Sequence, residues 1–357
     1  MGSLRLLLAI SVLIAHSGPI SGFSLIGGIE AVEIFFIISG FYMALILNTK
    51  YVGVNSYYLF ITNRFLRIFP TYWLVLLLTT FCYLLGYVFY GEGGPIEQIG
   101  NALDTVNPLI VIAAIISNVM IFGQDILLFI NLNLDGSASL AQQLDTSYPS
   151  TKDWLFVPQA WSISIELMFY LTAPFTLKLS SRKIIFLCLT SLSSRIFIDQ
   201  VGLVEDPWNY RLFFSEYAFF LFGAIAYRCY EQLDKLNNLK KSILPMLSFC
   251  LMLLLLFFYQ FVPYFYLKTY VLYALLIALL PMLFLYSKNN SIDRALGELS
   301  YPIYLIHIFI MMILSFFGYN SSFYVALITI FFSILMSKFF GNRIELIRKN
   351  RLESFNG

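Results

Sequence analysis

Charge is what this chain has least of. Of its 357 residues, 22 are Lys or Arg and 20 are Asp or Glu, 12% in all, about half the share of an average soluble domain. The net charge of +2 is too small for a nucleic-acid-binding surface, so no nucleic acid partner is expected. Histidine occurs only at His16 and His307, and cysteine only at Cys82, Cys188, Cys229 and Cys250. The cysteines lie inside or at the ends of apolar runs and none forms a C-x-x-C pair. They read as small buried hydrophobes, and no disulfide or metal framework follows. There is no glycine-rich phosphate loop and no G-x-S-x-G elbow, and the acids from Asp135 to Asp145 do not follow EF-hand spacing. The first 20 residues lack an A-x-A-like cleavage site, so they read as a retained first helix and not as a removed signal peptide.

What the chain has instead is apolar length. It is 59% hydrophobic with mean hydropathy +0.80. The apolar residues come in blocks long enough for helices crossing a bilayer about 30 Å thick. A membrane β-barrel would alternate over segments of about ten residues, and that alternation is missing. The expectation is an all-α, polytopic transmembrane helical bundle. Eleven apolar segments stand out: 4–20, 31–47, 68–89, 109–122, 157–177, 184–198, 212–227, 243–261, 266–286, 302–317 and 323–340. Loops are short except 91–107 and 123–152. No internal repeat or linker divides the chain, so residues 1–357 are expected to form one transmembrane domain without a soluble C-terminal domain.

Basic residues cluster at 50–67, 178–183, 228–241, 288–294 and 338–351, whereas 17–33 and 91–107 carry acids and no base. Basic loops mark the cytoplasmic side. Placing both termini in the cytoplasm satisfies most clusters and requires an even number of crossings. Segments 109–122 and 184–198 are the weakest. Demoting the first keeps residues 178–183 inside, which gives ten spans.

Ionisable groups in a membrane are costly, and each is a functional candidate. Arg5 and His16 are eleven residues apart, which at about 100° per residue puts them on one helix face, separated by about 16 Å along the axis. Both can line one cavity without touching. Alternatively, Arg5 snorkels to the interface and His16 is a hydrogen-bonded helix-end residue. In "GGIEAVEIFFIISGF", Glu33 starts an apolar run and can face His16 from the next helix, where a carboxylate would orient the imidazole; Glu30 reads as a solvated interfacial acid. Ser39 and Gly40 permit close helix packing. Arg64 and Arg67 in "NRFLRIFPTYW" share a face and can clamp a phosphate-bearing donor, or simply flank a membrane helix. Ser162, Glu166 and Tyr170 form an i, i+4, i+8 polar stripe, readable as a site or as a hydrogen-bond network joining helices. Ser300, Tyr304 and His307 form another at i, i+4, i+7, with the same two readings.

Taken in order, these motifs resemble the membrane acyltransferase-3 family. Arg5 and His16 match its R-x10-H first helix, and "AVEIFFIISGF" is similar to its acidic-residue, FF, SGF second helix, with Glu33 at the acidic position. Arg64, Arg67 and Pro70 match R-x-x-R-x-x-P. Trp161, Ser162 and Glu166 resemble W-S-L-x-x-E. Ser300, Tyr301, Tyr304 and His307 resemble S-Y-x-x-Y-L-x-H. Leu167 stands where the family often has a second acid, and the SGNH-hydrolase domain of some members is not expected here.

The resemblance implies an O-acyltransferase of the cell (inner or plasma) membrane. It would move an acyl group, usually acetyl from acetyl-CoA, onto a hydroxyl of a cell-surface polysaccharide or its lipid-linked precursor. It assigns catalysis to His16, Glu33 and Glu166 and donor binding to Arg5, Arg64 and Arg67. Trp161, Ser162, Tyr170, Ser300, Tyr304 and His307 would line a polar track. His16 would be general base or transient acyl carrier, with Glu33 orienting it. No bound cofactor is expected; the acyl-CoA is a substrate, and the remaining partners are the glycan or glycolipid acceptor and membrane lipids. The rival readings are a polysaccharide polymerase or flippase, and a proton-coupled transporter.

Overall fold

A computed structural model describes residues 1–133, 135–144, 150–236 and 242–356. Asp145, Lys240 and Lys241, which belong to the acidic and basic stretches read above, lie outside them. In chain order the helices are α1 Gly2–Ser17, α2 Gly28–Thr49, α3 Ser56–Tyr90, α4 Pro95–Ala102, α5 Pro108–Met120, α6 Gln124–Leu127, α7 Trp161–Thr176, α8 Ser181–Gln200, α9 Phe213–Leu233, α10 Leu244–Phe258, α11 Lys268–Ser287, α12 Ser291–Phe316, α13 Ser322–Met336 and α14 Asn342–Asn356. The protein is 76% helical. A two-stranded antiparallel hairpin, β1 Ile130–Leu132 with β2 Ala138–Leu140, sits in the long second loop.

Among the described residues, six helices are long and apolar enough to cross a membrane: Gly28–Thr49, Ser56–Tyr90, Leu244–Phe261, Lys268–Ser287, Ser291–Phe316 and Ser322–Phe355. Gly2–Ser17 and Pro108–Met120 are shorter apolar helices. Side chains such as Leu77, Phe81, Phe89 and Phe331 stand exposed on these helices, as lipid-facing residues do and as water-facing ones rarely do. Two helices begin well before their apolar segments. α3 starts at Ser56 and not near residue 68, and α12 starts at Ser291 and not near 302. Both early stretches carry polar or charged residues among the apolar ones, Asn63, Arg64 and Arg67 in α3 and Asp293, Arg294 and Glu298 in α12, which lowers the hydropathy of a window placed there. α12 is started by Asn290, whose side chain accepts from Ile292 N and Asp293 N at 3.0 Å each, an N-cap. Pro70 and Pro302 fall inside these helices, each removing one backbone hydrogen bond without ending the helix.

The chain divides into two compact units. The first comprises Met1–Arg67, Ala173–Cys188 and Phe219–Gly357. Its centre is α1, which packs most extensively on α12 and also on α2 and α13. Ala9, Leu13, Ile14, Leu25, Ile303, Val325 and Ala326 form a buried cluster there. Glycines let the backbones touch. A Cβ on Gly2 would collide with the Asp293 carbonyl, and one on Gly297 would meet Gly2. In the same way Gly40 of α2 lies against the Phe220 carbonyl of α9, and Gly223 of α9 lies against Ile37 and Phe41 of α2. This is small-residue packing of membrane helices. Asp293 also ties α1 to α12, accepting from Gly2 N at 2.6 Å, Ser3 N at 2.9 Å and Ser3 Oγ at 2.6 Å.

The second unit comprises Ile68–Thr172 and Leu189–Ala218. A buried polar network fixes part of its long loop. The Tyr72 hydroxyl donates to the Asn118 carbonyl, Gln124 Nε2 donates to Tyr72 at 2.8 Å, and Asn118 Nδ2 donates to the Trp154 carbonyl at 2.9 Å. Ser164 donates to Asp125 at 2.6 Å.

Candidate active site

The two histidines of the chain meet in the first unit. α1 ends at Gly18, whose φ of 90° breaks the helix, so His16 lies in the last turn. Its Nδ1 is 2.9 Å from the Val12 carbonyl and 3.4 Å from His307 Nε2. His307 is fully buried, and its own Nδ1 is 2.8 Å from the Tyr304 carbonyl. A carbonyl only accepts, so each Nδ1 carries its hydrogen in the neutral rings. His307 Nε2 then presents a lone pair to the His16 Nδ1–H, which it shares with Val12. The ring centroids are 5.1 Å apart and tilted by 51°. The consequence is a defined tautomer: neutral His16 has its basic lone pair on Nε2, and the ring is exposed. Ser300 and Tyr304 lie buried on the same face of α12 as His307, and Ser300 donates back to the Gly297 carbonyl at 2.7 Å.

Glu33 is buried in the apolar part of α2, and the Tyr273 hydroxyl of α11 donates to its carboxylate. One turn earlier, Glu30 accepts from Thr269 Oγ1 at 3.3 Å. The two acids of α2 thus run along α11. The ring that the structure brings against His16 is His307.

The arginines are carried by other parts of this unit, Arg5 by α1 and Arg64 and Arg67 by α3. Arg5 and Arg67 both act electrostatically on Tyr42 of α2. Arg64 is buried, with its guanidinium carbon 5.8 Å from the centre of the Phe60 ring. Both Arg64 and Arg67 belong to the continuous helix α3, so they project from a rigid rod and not from a loop.

Trp161, Ser162, Glu166 and Tyr170 lie on α7 in the second unit. The Tyr170 hydroxyl donates to Glu166 at 2.5 Å, an i, i+4 pair. Ser162 Oγ donates to the Gln159 carbonyl at 3.4 Å. Trp161 packs edge-on against Tyr210 at 5.3 Å, with the Arg211 guanidinium 4.4 Å from its ring centre. Arg211 is itself held bidentately by Asp206, at 2.5 and 2.7 Å, a strong charge-assisted geometry. Among the described residues no group of three His, Cys, Asp or Glu is placed to hold a metal ion.

A family model described as an acyltransferase domain matches residues 2–340. The chain belongs to the acyltransferase-3 family. No curated protein and no solved structure matches it. Family membership together with the apolar helices makes the protein a membrane acyltransferase.

An acyltransferase must take a proton from the acceptor and control the charge of the leaving thiol or ester. An imidazole of fixed tautomer suits the first task. Sequence reasoning missed Tyr273, Arg211 and Tyr210. Tyr273 is one of 24 tyrosines in a helix with no other polar pattern, and nothing marked it out. Arg211 and Tyr210 fall between apolar segments, where a short basic–aromatic stretch reads as an ordinary loop.

Proposed function

We propose that the protein is an O-acetyltransferase of the cell membrane that moves acetyl from acetyl-CoA to a hydroxyl of a surface polysaccharide or its lipid-linked precursor. The observation that supports this reading best is the His16–His307 contact, which sets the His16 tautomer. His16 Nε2 accepts the proton of the acceptor hydroxyl as its oxygen attacks the thioester carbonyl. The new O–C bond forms, the C–S bond breaks, and the proton passes from His16 to the departing thiolate. Arg5, Arg64 and Arg67 bind the phosphates of the donor. Glu33 and Glu166 serve as acid–base or positioning groups, and Trp161, Ser162, Tyr170, Ser300 and Tyr304 line the path of the acceptor. The chain crosses the membrane ten times with both termini in the cytoplasm, where the donor is found.

The test is transfer of labelled acetyl from acetyl-CoA to glycan by the purified protein, in wild type and His16→Ala. Loss of transfer in a folded, membrane-inserted variant supports the reading. Transfer at the wild-type rate removes His16 from the chemistry. If the wild type transfers no label but lengthens or moves glycan, or carries protons across vesicles, the polymerase, flippase or transporter reading replaces it.

A further inference from the structure

The chain between α10 and α11 reads YQFVPYFYLKTY over residues 259–270. Hydropathy assigned Tyr266 to the apolar segment that follows, but α11 begins only at Lys268, so Tyr264 and Tyr266 lie beyond the helix end. They are 87% and 84% exposed, and no other aromatic side chain among the described residues is as open. The backbone that carries them is pinned. Lys268 Nζ donates to the Val262 carbonyl at 2.7 Å and lies 4.2 Å from the centre of the Tyr259 ring. Lys268 N donates to the Phe265 carbonyl at 2.9 Å, and Val262 N to the Tyr259 carbonyl at 3.1 Å. The two phenols therefore stand out from a closed turn, and a ligand that settles on them has less chain to order.

The α1–α2 connection ties this turn to the end of α1 that carries His16. Ile20 and Phe23 exchange two backbone hydrogen bonds of 3.0 Å around Ser21 and Gly22, whose φ values of 52° and 79° make a tight hairpin turn. Ser24 N and Oγ then donate to Gln260 Oε1 at 2.8 and 2.9 Å. The Phe23 ring lies 4.8 Å from that of Phe257 and 6.2 Å from that of Phe261. The exposed His16 ring and the two exposed phenols thus share one end of the first unit. Polar groups lead from the turn toward α2: the Tyr259 hydroxyl is 3.4 Å from Thr269 Oγ1, which donates to Glu30 at 3.3 Å.

Tyrosines that anchor a protein in the headgroup layer form belts on the flanks of its helices. These two stand past the helix end, on a turn followed at once by Lys268 and Thr269. A pyranose has apolar C–H groups on its faces and hydroxyls around its rim. A phenol matches both, with a flat apolar face and a hydroxyl at its tip. We propose that Tyr264 and Tyr266 form a docking platform for sugar rings of the acceptor glycan, held at the His16 end of α1 by the Ile20–Phe23 hairpin and the Ser24–Gln260 bonds. This inference rests on the reading of the protein as a glycan acyltransferase.

The test uses full-length protein in nanodiscs, acetyl-CoA, and delipidated surface polysaccharide from the cells that make the protein. The polysaccharide also carries a fluorescent label for binding by anisotropy. The double variant Tyr264→Ala, Tyr266→Ala should raise the polysaccharide KM and Kd by about 10-fold or more, as expected for two lost stacking contacts. Its acetyl-CoA KM and its kcat at saturating polysaccharide should stay at the wild-type values. Each single Ala variant should show about 3-fold, which keeps a readout should the double variant fold poorly. Tyr264→Phe, Tyr266→Phe keeps the ring faces and should recover most of the affinity. If wild type binds the polysaccharide and the Ala variants bind it equally well, the inference is overturned. If the Ala variants bind it normally but lose thermal stability in the discs, the rings anchor in lipid and the inference is equally overturned. If wild type neither binds nor acetylates the polysaccharide, the glycan reading fails and takes the platform with it, a result told apart from the others by the wild type alone.

Discussion

Removing the His307 imidazole takes away the acceptor that faces His16 Nδ1 but leaves the Val12 carbonyl. His307→Leu should therefore lower kcat by about 10- to 100-fold, within the range for a contact supporting general-base catalysis, while the donor KM stays unchanged. His307→Gln places an amide oxygen in reach of the same N–H and should recover much of the loss. Steady-state kinetics on both variants decides: equal defects in Leu and Gln would mean that His307 acts only by filling space. A second residue-scale expectation concerns Glu33. A buried carboxylate that loses a hydrogen-bond donor costs about 1–3 kcal/mol, so Tyr273→Phe should lower the thermal unfolding temperature of the protein in detergent or nanodiscs. An unchanged unfolding temperature would show that water or another group replaces the phenol. Residues of this kind differ in how well the sequence announces them. His16, Glu33, Arg5 of α1 and the Arg64–Arg67 pair of α3 are rare polar letters in or beside apolar runs, so their positions stand out. Their partners do not: Tyr273 is a common letter in its setting, and which ring meets His16 depends on how α1 and α12 pack.

At the scale of elements, the close crossings depend on glycine. A side chain at Gly223 would run into the backbone of α2, so Gly223→Val should force α2 and α9 apart and reduce the folded yield sharply. Gly100 in α4 has open space where a Cβ would go, and Gly100→Ala should be neutral or slightly stabilising, as expected for removing a helical glycine. Size-exclusion profiles and thermal stability of the two variants test the contrast, and similar behaviour of both would refute it. The Ser39–Gly40 pair signalled this packing in the sequence, but its reciprocal partner Gly223 lies too far along the chain for any local pattern to link them. Helix starts were less legible than helix centres. Hydropathy located the middle of α3 and α12, whereas the first turn of α12 follows from the Asn290 cap. The loop over 91–107 and 123–152 hid α4, α6 and the β1–β2 hairpin, because these elements are too short for periodicity to show.

At the scale of the molecule, pH should act on stability through Asp125. Burial raises its pKa above the ordinary 3.8, and the Ser164 hydrogen bond only partly opposes the shift. The folded state then holds a proton that the unfolded chain releases near pH 4. The stability contributed by this group is complete below pH 3.8 and is lost as pH rises through the folded-state value. Asp125→Asn keeps an oxygen for Ser164 and removes the titration, so its unfolding temperature should exceed that of wild type most at neutral pH and least in acid. A constant difference across pH would assign the effect to packing. The helical, membrane-embedded class of the protein was legible from composition alone, because a chain this short of charge has few ways to satisfy water. The division into two compact units was not, since both are assembled from separated stretches of the chain. One further consequence follows from the pairing of His16 with His307, the whole histidine content of the protein. Nitrogen-15 labelling of histidine alone gives a spectrum with two ring systems, both reporting on one contact. In their neutral forms both rings should show protonated Nδ1 and bare Nε2, and a labelled sample titrated with donor or acceptor becomes a direct spectroscopic record of proton movement, free of background from any other imidazole.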